Sequence, residues 1–288
     1  MGNFVVKFMQ IVIAIYFSFF SIEFAISNQL KVVFLNVGEG ESIFIQTPNF
    51  YSYLIDVGNP ITGFNVVSFL RKEGVNKLSG LIITHHHLDH IGGVFYVLQT
   101  IEVESKFDNG EILPDKGLCG DFYRWYKMAF RHNNYQNIRG GKTWQIDNVY
   151  FEILWPFNLS GNFNEDSLVI KLSYGKYSFL LIGDISKEVE KKLIRLYNKK
   201  LRSNVLKVAH HGAHDATSKE LLELVSPQYA VISINKNNIR GYPSREVIKL
   251  LKSYKIKTFF TFRDGTIIFS TDGKNLQVKT GYQPCFSQ

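Results

Sequence analysis

Strand-length and helix-length segments follow one another in the same order twice along this chain, and that repetition limits the folds open to it. Residues 31–37 and 42–47 alternate apolar and polar side chains around the turn Gly38-Glu39-Gly40, and residues 51–57 form a third such segment. Period-two alternation predicts strands lying on a half-buried sheet. Residues 66–73 carry helical spacing stopped by Gly74, residues 81–84 predict a short apolar strand, and residues 91–98 a helix. An aromatic-rich helix is expected over residues 121–131. Strands then return over 144–155 and in a hairpin, 167–174 and 177–182, around Gly175-Lys176. A long basic helix over 186–200 leads into strand–helix alternation: strands at 205–209 and 229–234, helices at 218–225 and 244–254, and strands at 257–262, 266–270 and 276–279. Two such halves predict an α/β protein of αββα architecture, two mixed sheets face to face with helices outside.

Composition supports a large core and excludes several classes. Of the 288 residues 45% are hydrophobic and 20% charged, which fits neither a disordered tail nor a polytopic membrane protein. The two cysteines, Cys119 and Cys285, are too few for a disulfide framework or a cysteine-rich zinc module. Their pairing with each other stays open.

The first residues read separately. Lys7 is the only charge before Glu23, residues 11–22 are apolar apart from serines, and Ala25-Ile26-Ser27 places small residues where a signal peptidase cuts. Residues 1–27 are therefore expected to be a signal peptide, with an uncleaved N-terminal anchor as the alternative. Residues 28–288 contain no linker or low-complexity tract and are expected to form one domain, secreted or periplasmic. With an anchor it would face outside the cytoplasm.

Seven of the eight histidines fall in two short clusters. Thr84-His85-His86-His87-Leu88-Asp89-His90 follows directly on an apolar strand, so His85 and His87 can share one side while His86 points elsewhere. Asp89 and His90, on the turn into the next helix, reach a neighbouring point. Imidazole nitrogens and a carboxylate are what a borderline divalent cation such as Zn²⁺ binds. Asp56 and Asp184 each end an apolar strand, and His210-His211-Gly212 ends another. Adjacent residues point oppositely, so either His210 or His211 can be the ligand.

The pattern His85-x-His87-x-Asp89-His90 resembles the signature of the metallo-β-lactamase superfamily, whose fold is the αββα sandwich. That resemblance implies metal ligands at His85, His87, Asp89, His90, Asp184 and His211. It makes Asp184 the carboxylate bridging two metals, and Asp56 a carboxylate that orients a ligand histidine. Within the superfamily, Phe34–Ser42, Asn164-Glu165-Asp166-Ser167-Leu168-Val169 and Leu206–Gly212 resemble the extracytoplasmic hydrolase domain of ComEC competence proteins. The chain departs from that pattern at Asn36, where the family has aspartate, at Ala213, where it has serine, and at Tyr242-Pro243-Ser244, where it has His-Pro-His. It resembles a free-standing relative without the channel.

The resemblance implies an exported metal-dependent hydrolase, a phosphodiesterase or nuclease acting on DNA through a hydroxide shared by two divalent ions, Zn²⁺ or alternatively Mn²⁺. Asp89 and His210 are the expected catalytic residues, and Asn164 and Ser167 the expected substrate contacts. A net charge of +8, with Lys191, Lys192 and Arg195 on the basic helix, leans toward an anionic phosphodiester partner. No obligate protein partner is inferable. Two alternatives stay open: a hydrolase of small substrates (a lactone, β-lactam or phosphorylcholine ester), and a non-catalytic metal- or DNA-binding module. On the signal-peptide reading, mass spectrometry of exported protein should find Asn28 as the first residue; an intact Met1 would overturn it.

Overall fold

The computed structural model describes residues 29–282. The expected signal segment and Cys285 lie outside them; Cys119 is half-buried. The first half runs β1 (Leu30–Phe34), β2 (Ile43–Gln46), β3 (Ser52–Ile55), α1 (Gly63–Lys72), β4 (Lys77–Leu78), β5 (Gly80–Ile82), α2 (Leu88–Ile91), α3 (Val94–Thr100), β6 (Glu102–Val103), β7 (Lys106–Asp108), α4 (Gly120–Ala129) and β8 (Tyr135–Asn137). The second runs β9 (Thr143–Ile146), β10 (Val149–Trp155), β11 (Val169–Tyr174), β12 (Tyr177–Leu181), α5 (Lys187–Tyr197), β13 (Val205–Lys207), α6 (Lys219–Val225), β14 (Tyr229–Ile232), α7 (Arg245–Ser253), β15 (Lys257–Phe260) and α8 (Thr261–Asp264). The hairpin β16 (Thr266–Thr271) and β17 (Leu276–Tyr282) completes it. Among the described residues, no helix is long and apolar enough to cross a membrane.

Two mixed sheets result. The first has eight strands in the order β17-β16-β1-β2-β3-β5-β7-β8, and the second seven, β15-β14-β13-β12-β11-β10-β9. In each, antiparallel hairpins lead into three parallel steps, β3-β5-β7-β8 and β12-β13-β14-β15. Inward-facing residues of both sheets, among them Phe34, Ile45, Phe151, Leu172, Phe179 and Phe269, form one buried layer between them. Two further apolar layers seat helices α1, α3 and α4 on the outer face of the first sheet and α5, α6 and α7 on that of the second. The αββα sandwich is thus the observed architecture.

Three local features differ from the sequence expectation. The last hairpin returns to the first sheet, where β16 pairs antiparallel with β1 from Leu30↔Thr271 to Phe34↔Ile267 and covers an edge that would otherwise expose unpaired backbone. The helix expected over 91–98 is two helices parted at Gly92-Gly93, where the Gly93 N–H donates out of the helix to the Gly58 carbonyl (3.2 Å); a Cβ at these glycines would meet the Pro60 ring or the Val57 carbonyl at 2.2 and 2.1 Å. The basic helix stops at Tyr197, where Asn198 turns to φ 46° and a 3₁₀ turn carries Lys199 and Lys200.

Gly40 brings the β1–β2 turn against the segment after β5. Its φ is +113°, and a Cβ would lie 2.1 Å from the Asp89 carbonyl oxygen, which accepts from the Glu41 N–H (3.1 Å). Gly40→Ala combines left-handed strain with overpacking and should cost about 3 kcal/mol. A urea midpoint equal to that of the parent would contradict this packing.

Candidate metal centre

Every expected ligand leaves the carboxyl end of a strand, along one rim of the sandwich where the two sheets meet. β3 ends before Asp56, β5 before residues 84–90, β12 before Asp184, and β13 before His210-His211. Crevices beyond the carboxyl ends of parallel strands are where α/β sheets bind ligands, because the backbone diverges there and leaves loops free to converge.

Asp56, itself at φ 56°, is fully buried. Its Oδ1 accepts from the Thr84 N–H (2.8 Å), and its Oδ2 from the Thr84 hydroxyl (2.7 Å) and from His90 Nδ1 (2.7 Å). One carboxylate therefore fixes both the start of the histidine segment and the face of the His90 ring. His211 is held likewise, its Nδ1 donating to the Ser233 carbonyl at the end of β14 (2.7 Å). With both Nδ1 atoms engaged, both Nε2 atoms point at Asp184.

Asp184 Oδ2 is the convergence point. It lies 3.4 Å from His90 Nε2, 3.4 Å from His211 Nε2 and 4.0 Å from His85 Nε2. His211 Nε2 is also 3.6 Å from Asp89 Oδ2, and His87 Nδ1 is 3.2 Å from His85 Nε2. The structure thus brings His85, His87, Asp89, His90, Asp184 and His211 together. Within them His85, His90 and Asp184 form one compact donor set, and Asp89, His90 and His211 another.

These donors fit divalent ions. His90 Nε2, His211 Nε2 and Asp89 Oδ2 are buried with no hydrogen-bond partner, while the other nitrogen of each ring is occupied. Buried polar atoms are seldom left so, and a cation among them satisfies nitrogen lone pairs and carboxylates together. Otherwise a proton takes that place. Burial alone would depress His211, but Asp184 and Asp89 push it up to about 9. His90 is likewise raised: the opposing effect of burial is overcome by Asp184 and Asp56. Burial lowers His85, which has no comparably close carboxylate.

The remaining predicted residues separate. His210 sits at the mouth with φ 47°, its ring 5.4 Å from that of Tyr242 and its Nδ1 3.8 Å from Asp215 Oδ1; burial lowers its pKa. Both adjacent histidines adopt left-handed backbone, which lets His211 face inward and His210 outward. Asn164 keeps a buried Oδ1 without a hydrogen-bond partner. Ser167 is different from its expected substrate role: it is fully buried, and its Oγ accepts from the Asp184 N–H (3.2 Å), so it supports the ligand loop.

His86 points away from the centre, into a buried cage. Its Nδ1 meets Glu111 (2.7 Å) and its Nε2 Asp108 (3.1 Å), and Asp108 also accepts from Arg131, Tyr126 and Tyr135. Against the effect of burial, these two carboxylates raise its pKa.

Three groups at the centre were not singled out in the sequence. Lys207 is fully buried, ion-paired with Glu41 and 3.4 Å from Asp184 Oδ1. Its sequence signal was present: a lysine closing an apolar strand must find a counter-charge. Arg240, half-exposed, places Nη1 3.7 Å from Asp89 Oδ2 and Nε 3.6 Å from Glu39 Oε1. It lies in a polar turn whose local pattern carries no such signal.

Fold and centre together define a metal-dependent hydrolase architecture, and residues 36–234 match the family model of the metallo-β-lactamase superfamily. The chain belongs to that superfamily. It is 27% identical over 262 residues to ComE operon protein 3 of Bacillus subtilis, covering 84% of this chain and 33% of that protein. It is 30% identical over 244 residues to competence protein ComA of Neisseria gonorrhoeae, covering 84% and 32%. The chain thus spans about a third of the length of these relatives. Among solved structures, the metallo-β-lactamase fold protein YhfI from Bacillus subtilis aligns with TM-score 0.54 at 13% identity, over 84% of this chain and 99% of that one. That likeness concerns the fold.

Metal and proton compete for the same nitrogen lone pairs, which sets a pH dependence. Below about pH 9 the ion-free protein carries a proton on His211 that a metal must displace. The His211 proton should make affinity for a divalent ion rise about tenfold per pH unit throughout the range below about pH 9, and its contribution should level off above that. Calorimetric titration across that range, in buffers of different ionisation enthalpy, measures it; pH-independent affinity without proton release would contradict the arrangement.

Proposed function

We propose that this chain is a phosphodiesterase that hydrolyses DNA with two divalent ions, Zn²⁺ or Mn²⁺, outside the cytoplasm. The observation that carries the reading is Arg240. A half-exposed guanidinium 3.7 Å from Asp89, at the open mouth of a cation-binding centre, suits a substrate with a full negative charge at the scissile group. A lactone or β-lactam carbonyl needs no second cation there. The overall charge of +8 and the similarity to a competence protein support the same class.

Divalent ions bound here would lower the pKa of water and neutralise charge on the attacked phosphoryl oxygens. The chain supplies the rest. Asp56 and Ser233 fix the ring faces of His90 and His211, so the donor atoms need little rearrangement. Arg240 orients the phosphodiester by one non-bridging oxygen. His210, kept largely neutral by burial, presents an imidazole N–H to the reacting group at the mouth. Asn164 Oδ1 accepts from a substrate donor.

The basic helix contributes less than its lysine count suggests. Lys191 is paired with Glu188 (2.6 Å), Lys192 lies 5.3 Å over the Trp155 ring, and Lys187 donates to the His214 carbonyl (2.6 Å). Phosphate contacts are therefore assigned chiefly to Arg240, with Arg195 as an outer contact.

DNA cleavage with Mn²⁺ or Zn²⁺ tests the reading directly. Asp184→Asn should abolish cleavage. Arg240→Ala should lower kcat/KM on DNA by about 10- to 100-fold, the loss of one charge-assisted contact, and reduce the salt slope of binding by about one phosphate. It should leave hydrolysis of a neutral lactone unaffected. Lactone or β-lactam turnover without DNA cleavage would favour the small-substrate reading, and metal-loaded protein that binds DNA but cleaves nothing would favour a binding module.

A further inference from the structure

A lysine with no exposure to water sits against the carboxylate on which the metal centre converges. Lys207 ends β13, in register with Leu181 of β12 on one side and Val231 of β14 on the other, just where β12 departs toward Asp184. Its ammonium makes three contacts: an ion pair with Glu41, a hydrogen bond to the Gly183 carbonyl (3.1 Å) and an approach to Asp184 Oδ1 (3.4 Å). Glu41 is itself 2% exposed and belongs to the other sheet, in the β1–β2 turn. Its N–H donates to the Asp89 carbonyl (3.1 Å), and its carbonyl accepts from Gly58 (2.8 Å).

We infer that Lys207, clamped by Glu41, is a positioning residue that turns Asp184 so that Oδ2 alone faces the imidazole donors of both sheets. The deduction builds on the divalent-metal reading of the centre. Lys207 engages Oδ1, which leaves Oδ2 alone facing the Nε2 atoms of His85, His90 and His211. The same ammonium joins the two halves of the site. Asp89 comes from the first sheet and Asp184 from the second, and the run Asp89–Glu41–Lys207–Asp184 is one of the polar connections across the seam. Lys207 is in none of the compact donor sets, so its effect is exerted through Asp184; Glu41 lies close to Asp56 and His90 in a third such set.

A lone Lys207→Met would strand the Glu41 carboxylate in the interior, so loss of folding there would say little. The informative variant is Glu41→Leu/Lys207→Met, which removes both charges and keeps apolar volume. Its urea midpoint should stay close to that of the parent, because a buried ion pair replaced by packed apolar groups is commonly tolerated. Its affinity for Zn²⁺ by calorimetry should nevertheless fall about 10- to 100-fold, as expected for losing the group that orients a ligand. The visible spectrum of the Co²⁺-substituted protein should change with it. Glu41→Gln alone keeps an acceptor for the Lys207 ammonium and the Lys207–Asp184 contact, and should retain most of the affinity. A folded double variant that binds two ions as tightly as the parent would overturn the inference, as would equal losses in the single and double variants. A parent protein that binds no divalent ion would instead sink the metal reading beneath it.

Discussion

Charge taken out of water has to be compensated where it lies, and at the rim of this sandwich an unusual amount is taken out. Asp56, Glu41, Asp184, His85, His90, His211 and Lys207 are all buried within one seam, with Asp89 nearly so. Isolated, each would be driven toward its neutral form or would destabilise the fold. Together they are arranged so that each charge has an opposite neighbour: Asp56 with His90, Glu41 with Lys207, and Asp184 with His211. The shifts have the corresponding signs, with Asp184 pulled below the carboxylate range in spite of burial, and His211 pushed up. What stays unmatched is a set of donor atoms aimed at a shared space, the arrangement in which a cation completes the charge balance.

The sandwich supplies that arrangement because its two sheets end at the same rim. The first contributes Asp56 and residues 85–90, the second Asp184 and His211. Neither sheet alone carries both compact donor sets. The Gly40 turn and the Glu41–Lys207 pair hold the two rims at the distance at which Asp184 Oδ2 meets imidazoles from both. Parallel strands splay at their carboxyl ends, and the loops between them are where side chains from remote segments can converge.

Membership of the metallo-β-lactamase superfamily explains the centre, and the mouth individualises it. At the mouth stands Tyr242-Pro243-Ser244, and Tyr242 packs its ring against His210. Ser244 caps α7, its Oγ accepting from Val247. The polar side chains at the entrance include Arg240, His210 and Asp215. The relatives are about three times longer, so the chain corresponds to one part of them.

Much of this was legible in the sequence, for a physical reason. Period-two and helical spacing are properties of neighbours along the chain, so the order of elements and the pairing of halves into a sandwich could be read directly. The same holds for His85, His87, Asp89 and His90, whose spacing places them at one strand end, and for Asp56, Asp184 and His211, each following its own apolar strand. Spacing cannot show what two distant segments do to each other. That β16 crosses back to β1, that a helix is parted at Gly92-Gly93, and that Ser167 supports Asp184 from below depended on packing. So did the roles of Lys207, Glu41 and Arg240, since only the fold decides which counter-charge each of them meets. His210 and His211 make the division plain. The sequence placed both at the site, but the left-handed backbone at each, set by the turn out of β13, chose which ring faces the centre and which faces the solvent.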